Sequence, residues 1–534
     1  MVFLNVTCFN RIIFINIYGL KMEFLEKIIP RQYQREIFET CVNKNCLVVL
    51  PTGLGKTLIA IMLTIERMKT FPGEKVLMLA PTKPLVEQHL TSFQKHLPDL
   101  FADLQMFTGE LNAQKRKKIW QTADIIFSTP QCIANDLKKQ LYDLKEVCLL
   151  VEDEAHRCVK NYDYNYVAKK YIEQSKNSRI IGLTASPGSD LKKIKDICKN
   201  LSISEVELRT RQSLDVEKYL QELVFNKIEV SFPRRFEEIR SLLNRLLREY
   251  LDNLKRSNFL HGPEHKIALL ELQKRLSSQI ARNFKSRSTY VAMSDCAQAI
   301  KLSHAIELLE TQTLESFFKY LKNLYGQATK EQSKGVVKLV ARREFTLIYS
   351  LANELLIKKI EHPKVQKTIE LIKDKQNSKT IIFTQFRDTA SIISRNINLL
   401  PNIKSKVFVG QTKKQDTGLT QKEQKKIIDE FKENKINVLC ATSIGEEGLD
   451  IPEVGSVIFY EPVGSAIRAI QRRGRTARLN KGELIILITK NTKDERSYYA
   501  SIAREKKMHT SIEQIKNQFK NSEQIKKETQ EKLI

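Results

Sequence analysis

Apolar positions along the chain change rhythm twice. Short apolar runs at residues 46–50, 76–80, 124–127, 147–151 and 179–183 alternate with longer stretches of helical periodicity. Each run after the first stops at a polar or proline-containing turn: Pro81-Thr82-Lys83-Pro84, Ser128-Thr129-Pro130, Glu152-Asp153-Glu154-Ala155-His156 and Thr184-Ala185-Ser186-Pro187. Such alternation predicts a parallel sheet in an α/β domain. Its turns should face one cleft outside the carboxyl ends of the strands. From about 209 to 358 the rhythm is helical instead. Phe236, Ile239, Leu242, Leu243, Leu246, Leu247, Tyr250, Leu251 and Leu254 recur at three and four, marking an amphipathic helix with Arg240, Arg245, Arg248, Lys255 and Arg256 between them. Further helical patterns cover 266–283, 297–325 and 336–359. From His362-Pro363 the strand rhythm returns, at 380–384, 406–409, 437–441, 456–460 and 483–488. The expected fold class is α/β: two parallel-sheet domains, at 23–208 and 361–508, with an all-helical insert at 209–360. A charged tail, 509–534, should form a solvated helix or a loose end.

Bulk properties narrow the function without fixing it. At 534 residues the chain exceeds one hydrophobic core, and 42% hydrophobic with 28% charged residues is ordinary for a globular protein. A formal charge of +27 is not ordinary. It favours a polyanionic partner, nucleic acid first and an anionic membrane second, against the plainer reading of a lysine-rich solvated surface. Nine cysteines stand singly, with no C-x-x-C pair, which points to neither a zinc site nor a disulfide framework. A reducing, intracellular setting is the expectation. The apolar stretch at 12–18 is too short to span a bilayer and lacks the flanks of a signal peptide. Met22 opens a cleaner soluble start, so residues 1–22 are expected to be a mis-annotated or disordered leader.

Three strings carry chemistry. Asn45–Thr57 reads as a buried strand, a glycine loop and a helix start. Glycines let backbone N–H groups close around an anion, and the helix N-terminus adds a favourable dipole. In that pattern Lys56 reaches the β- and γ-phosphates and Thr57 holds magnesium. Leu50 stands where the strict pattern has glycine, and a Gly-Leu-Gly-Lys-Thr run by itself also fits a chance turn. The second string places Asp153 and Glu154 at a strand end, where an Asp holds magnesium and an adjacent Glu polarises water. Acidic pairs there also serve as turns or caps, but one that follows a phosphate loop in the same sheet favours catalysis. The third, Gln471–Arg478, is arginine-rich: a solvated face, a phosphate-backbone patch, or a source of arginine fingers in Arg475 and Arg478.

Taken in order, PTGLGKT, APTKPLVEQH, STPQ, DEAH, TASPG, IIFTQFRDTA, TSIGEEGLDIPEV and QRRGRTAR resemble the motif series of superfamily 2 helicases. More narrowly, FVGQ, GLTQKEQ, ATSIGEEGLDIPEV and VIFYEPVGSAIRAIQRRGRTAR are similar to the archaeal Hef helicases, whose eukaryotic relatives are the Fanconi anaemia M-type and Mph1 DNA translocases. The resemblance spans about 28–508 and includes a helical insert between two RecA-like domains. It implies an ATP- and magnesium-dependent helicase or translocase that acts on forked or branched DNA, without sequence preference, in replication-fork repair and recombination.

The resemblance also implies roles. Arg31 and Gln34 would lie on the adenine side. Pro51, Thr52, Gly53, Leu54, Gly55, Lys56 and Thr57 would cradle the phosphates, with Gly448, Asp450, Gln471, Arg475 and Arg478 completing the ATP site from the second domain. Lys56, Asp153, Glu154, Gln471, Arg475 and Arg478 would be catalytic, and Thr57 and Asp153 would hold the metal. Thr184 and Ser186 would couple the site to strand movement. Pro81, Thr82, Thr129, Pro130, Thr384, Gln411 and Thr442 would contact the nucleic-acid backbone. The insert resembles a thumb-like, DNA-gripping element, with a charged spacer as the alternative. Longer relatives carry a nuclease marked E-R-K-x-x-x-D; the string at 494–499 lacks the Lys and the final Asp, so no nuclease is expected. A separate nuclease or replication factors would be partners, with no membrane, in the cytoplasm at the nucleoid if the source is archaeal. Two other readings stay open: a duplex-RNA-dependent ATPase, and a non-catalytic scaffold that binds branched DNA and recruits a nuclease.

Overall fold

The computed structural model describes residues 29–97, 101–160, 162–219, 223–282, 286–375, 378–410, 418–442, 452, 454–463 and 482–531. The chain divides into two compact units, one built mainly on residues up to Lys218 and the other mainly on Tyr219–His509. The first holds a seven-stranded sheet: β1 (Cys46–Val49), β2 (Lys75–Leu79), β3 (Leu104–Phe107), β4 (Ile125–Ser128), β5 (Val147–Asp153), β6 (Ile180–Thr184) and β7 (Glu205–Leu208). Their order is β3-β4-β2-β5-β6-β1-β7 and every pairing is parallel. β1, β2, β4, β5 and β6 are buried along their whole length, which is why they read as unbroken apolar runs. β3 and β7 were not expected. They are the two edges, and edge strands carry a thinner apolar signal: LQMF is half-buried for three of its four residues and EVEL is half acidic.

The order has a direct consequence for chemistry. β5, β6 and β1 are neighbours, so the turns after Asp153, Thr184 and Val49 open side by side. β2 and β4 are neighbours too, bringing the turns at Pro81 and Thr129 together on the other half of the same edge.

The second unit holds β8 (Leu223–Val230), β9 (Thr380–Phe383), β10 (Ser405–Phe408), β11 (Val438–Ala441), β12 (Ser456–Phe459) and β13 (Gly482–Thr489), again all parallel, in the order β10-β11-β9-β12-β13-β8. β8 corrects one expectation. The stretch from 209 was read as purely helical, yet Leu223–Val230 pairs with β13 in full register, Leu223 against Gly482 through Val230 against Thr489. Asn226, Lys227 and Glu229 interrupt its apolar pattern, which an edge position tolerates.

The helical insert follows as Arg234–Arg256, Lys266–Ala281, Arg287–Thr311, Leu314–Thr329, Lys334–Val340 and Arg343–Ile357. Phe236, Ile239, Leu243 and Leu246 of its first helix bury against Leu302, Leu308, Phe317, Leu321, Phe345 and Ile348. The pattern read as one helix over 297–325 is two, broken at Gln312 because Thr313 caps a new start by accepting from the Ser316 N–H. The tail is not loose. Lys493–Glu531 is one helix, and Met508, Ile512 and Ile515 on it are buried. No helix among the described residues is long and apolar enough to cross a membrane.

Within this unit the insert meets the sheet domain at a buried ion pair. Lys364, fully buried, donates to Asp494 Oδ2 and to the Thr311 carbonyl, each at 2.7 Å, and its ammonium lies 4.6 Å from the centre of the Tyr460 ring. Asp494 also accepts from the Thr489 N–H. A buried pair of this kind is costly to break from one side, because an uncompensated charge remains. Asp494→Ala is therefore expected to destabilise the second unit by about 3–5 kcal/mol, read by denaturant unfolding; a loss under about 1 kcal/mol would show the pair to be dispensable.

Candidate active site

β1 ends at Val49, and the next N–H, that of Leu50, still bonds to the Thr184 carbonyl of β6. The chain then leaves the sheet through Pro51 and Thr52 to two residues in the left-handed region, Gly53 (φ 87°) and Gly55 (φ 80°). A side chain at Gly55 is excluded twice, by that backbone and by Gln34, whose Nε2 sits 2.3 Å from where a Cβ would stand. Helix Lys56–Thr70 starts at once, so its first N–H groups face the loop's concave side. Lys56 Nζ donates to the Leu50 carbonyl at 2.9 Å, a neutral acceptor that a phosphate oxygen would outcompete.

The glutamine expected near adenine is tied to this loop. Gln34 Oε1 accepts from the Arg31 N–H at 2.8 Å, and its Nε2 donates to the Leu54 carbonyl at 3.1 Å. Tyr33 donates to that same carbonyl at 2.9 Å. Arg31, Gln34 and the glycine loop thus form one hydrogen-bonded cluster.

Asp153 closes β5, buried, with its carboxylate 2.8 Å from His89 Nε2. Burial opposes its charge, but the charge and hydrogen bond of His89, with the charge of Lys56, outweigh burial and hold the carboxyl below the usual range. A carboxylate kept ionised beside Lys56 and the Thr57 helix start is the donor set that magnesium with phosphate oxygens takes. Tyr164 fixes the strand end by donating to the Asp153 carbonyl at 2.7 Å. Sequence reading did not single out His89. It lies inside APTKPLVEQH, but nothing local in that string points to a carboxylate 64 positions away.

Glu154 follows with φ 52° and ψ 46°, a left-handed backbone that costs a residue with a Cβ about 1 kcal/mol or more. Its carboxylate lies 3.2 Å from His156 Nδ1, which is 3.3 Å from the Thr184 hydroxyl. The Thr184 hydroxyl accepts from the Ser186 N–H at 3.1 Å. His156 thus lies between the acidic turn and the Thr-Ala-Ser turn.

On the other half of the edge, Thr82 and Thr129 stand at the N-termini of helices Lys83–His96 and Pro130–Lys138, and neither hydroxyl caps its own helix. The buried Thr82 hydroxyl has no hydrogen-bond partner among the described residues. Pro81 and Pro130 are buried beside them. In the second unit Thr384 and Thr442 follow the neighbouring strands β9 and β11. Thr384 donates its hydroxyl to the Phe386 carbonyl at 2.7 Å, and the Thr442 N–H bonds to the Phe408 carbonyl at 3.1 Å. Gln411, Gly448, Asp450, Gln471, Arg475 and Arg478 lie outside the described residues.

Glu152, between the apolar strand and Asp153, is fully buried and accepts from the Cys158 thiol at 3.0 Å. Burial, only partly offset by that bond, pushes its carboxyl up to about 8, so it is neutral at pH 7. An acid raised on folding binds its proton more tightly in the native state. It therefore costs stability as pH climbs from the ordinary carboxylate range toward 8. Glu152→Gln is expected to raise the melting temperature at pH 7 and to leave it nearly unchanged at pH 4, measured by thermal unfolding at both; equal effects at both would refute the buried neutral acid.

Comparison with known proteins agrees with this geometry. The DEAD/DEAH box helicase family matches residues 31–194, the helicase conserved C-terminal domain matches 363–480, and a family described as the helical bundle of a putative ATP-dependent RNA helicase matches 235–358. A putative ATP-dependent RNA helicase of Methanocaldococcus jannaschii is 38% identical over 486 residues, 90% of this chain and 60% of that protein. The ATP-dependent DNA helicase mph1 of Neurospora crassa is 33% identical over 488 residues, 87% of this chain and 41% of that protein. The chain thus spans only part of the length of these relatives. The crystal structure of the Pyrococcus furiosus Hef helicase domain is 43% identical, covering 88% of this chain and 98% of that one at a TM-score of 0.69. With two RecA-like sheets, the bundle between them and this degree of identity, the chain belongs to the Hef, Mph1 and Fanconi anaemia M family of superfamily 2 DNA helicases.

Proposed function

We propose that this protein is an ATP-driven DNA translocase that unwinds or branch-migrates forked DNA in replication-fork repair and recombination. The observation that carries the reading is what gathers at three adjacent strand ends: Asp153 under the charge of Lys56, Glu154 beside His156, and His156 against Thr184. ATP supplies the γ-phosphoryl group, and magnesium offsets charge in its transfer. Lys56 would exchange the Leu50 carbonyl for a phosphate oxygen. Asp153, ionised, would hold the metal with Thr57. Glu154 would orient the attacking water, and His156 would report its position to Thr184. By the family resemblance, Gly448, Asp450, Gln471, Arg475 and Arg478 would also belong to the ATP site.

Thr82 and Thr129, at two helix N-termini on neighbouring turns, suit backbone phosphates, which needs no base reading. Pro81, Pro130, Thr384, Gln411 and Thr442 join them in the proposal, and the insert grips the duplex. A nuclease has no place in the reading. Asp494, in the string nearest a nuclease motif, is buried on Lys364 and unavailable to a metal.

One observation favours a second reading, a duplex-RNA-dependent ATPase: the Methanocaldococcus relative and the helical-bundle family both carry RNA helicase descriptions. ATPase rates with single strand, duplex, fork, four-way junction and duplex RNA at fixed salt separate the two. Fork or junction DNA is expected to stimulate most, and preference for duplex RNA would reverse the assignment. Lys56→Ala is expected to lower kcat on the order of a hundredfold or more while DNA affinity, measured by fluorescence anisotropy, stays within about twofold. Hydrolysis at the wild-type rate would overturn the ATP site.

A further inference from the structure

The seat of the helical insert on the second sheet domain contains more than the Lys364 ion pair. Gln312, in the break between helices Arg287–Thr311 and Leu314–Thr329, is fully buried yet polar. Its Oε1 accepts from the Thr389 hydroxyl at 2.8 Å, and its Nε2 donates to the Thr311 hydroxyl at 2.9 Å and to Glu461 Oε2 at 3.4 Å. Thr389 is also fully buried, and the Ser316 hydroxyl lies 3.4 Å from its own. A buried amide holds such a position only when its donors and acceptors are met, so its partners are fixed in direction as well as distance.

One of those partners, Thr389, lies in the first turn of helix Arg387–Ile397, directly after the loop that begins at Thr384, while Thr311 ends a helix of the insert and Glu461 follows β12. From Thr384 through the first turn of helix Arg387–Ile397 the chain is fastened at three points. Thr384 bonds the Phe386 carbonyl; Arg387 donates to the Gly410 carbonyl at 3.0 Å; Asp388 pairs with Lys319 at 2.6 Å. The Phe386 ring packs on the insert's core, with its centre 5.8 Å from that of His304. The loop expected to touch a DNA backbone is therefore held from one side by its own sheet and from the other by the insert. Glu461, at the end of β12, is tied to the same glutamine.

We propose that Gln312 is a positioning residue that joins the insert and the Thr384 loop into one rigid element, so that the place where the insert holds a duplex sets where the single strand is gripped. This rests on the translocase reading above. An insert on an apolar seat could slide, since apolar contacts carry no direction. A seat pinned by a buried amide has one register. Fork recognition then depends on Gln312 although it touches no DNA, whereas single-strand stimulation does not.

The test compares the full chain with Gln312→Leu, Thr389→Val and Thr389→Ser, using ATPase titrations with a forked DNA and with a single strand of equal length. Gln312→Leu and Thr389→Val are expected to raise the half-saturating fork concentration about five- to tenfold and to leave kcat on the single strand unchanged. Thr389→Ser keeps the hydroxyl and should behave as wild type. Thr389→Val carries the test if Gln312→Leu does not fold. A folded variant with wild-type fork saturation overturns the proposal. Hydrogen exchange without DNA, at residues 384–389 against 405–408, separates the two levels. If the wild-type protein shows no DNA stimulation, the translocase reading fails, and exchange alone decides: faster exchange confined to 384–389 supports the rigid seat, and unchanged exchange overturns it.

Discussion

At Gly55 the glycine loop and the first helix of the domain compete for the same few ångströms. Gln34 has taken the space a side chain would fill, and in doing so it binds the carbonyl just before the turn. Helix Gln32–Asn43 is thereby pressed against the loop. Its outer face is bound to the sheet edge as well, through Thr40 to Glu207 at 2.8 Å and Glu36 to Arg209 at 3.0 Å. The contact falls between the two left-handed glycines, two residues before Lys56, where the helix starts. Any residue larger than glycine would have to displace the glutamine and adopt an unfavourable backbone together.

The second unit solves a different problem, how to mount a bundle of helices on a sheet without losing its orientation. Its polar contacts are buried where the two meet: Lys364 with Asp494, His362 against the Glu310 carbonyl, and Glu310 taking Arg240 at 3.1 Å and the Lys493 N–H at 2.8 Å. Burial holds His362 well below its ordinary pKa, with Lys364 adding to the effect, so it enters the joint neutral. Desolvation makes each of these groups expensive unless its partner stays in place. Orientation is what such contacts specify.

Legibility of the sequence followed burial. Strands covered on both faces announced themselves as apolar runs, and the turns after them carried the glycine loop, the acidic pair and the threonines. Three of the four edge strands did not: β3, β7 and β8 mix polar residues into their pattern because one side of each has no strand to satisfy, whereas the edge strand β10 was read at 406–409. Helix breaks were invisible for a similar reason, since Gln312 and Thr313 fit a helical stripe as well as they fit a cap. The contacts of His89 and Gln312 were out of reach. Each has a partner dozens of residues away, and only the fold brings them together.

β8 has a consequence for how the chain is made. It is synthesised before the whole insert and four of its sheet-mates, yet its one strand partner, β13, starts at Gly482. At roughly 5–20 residues per second, the nascent chain would carry that edge unpaired for on the order of tens of seconds. Contacts of such long sequence separation are slow to form. Exposed Val224 and Phe225 make this a stretch where a holding chaperone would have most to do. A fragment that starts at the return of the strand rhythm, near residue 361, would instead leave β13 as a bare edge, with eight residues of backbone open to the next molecule that arrives.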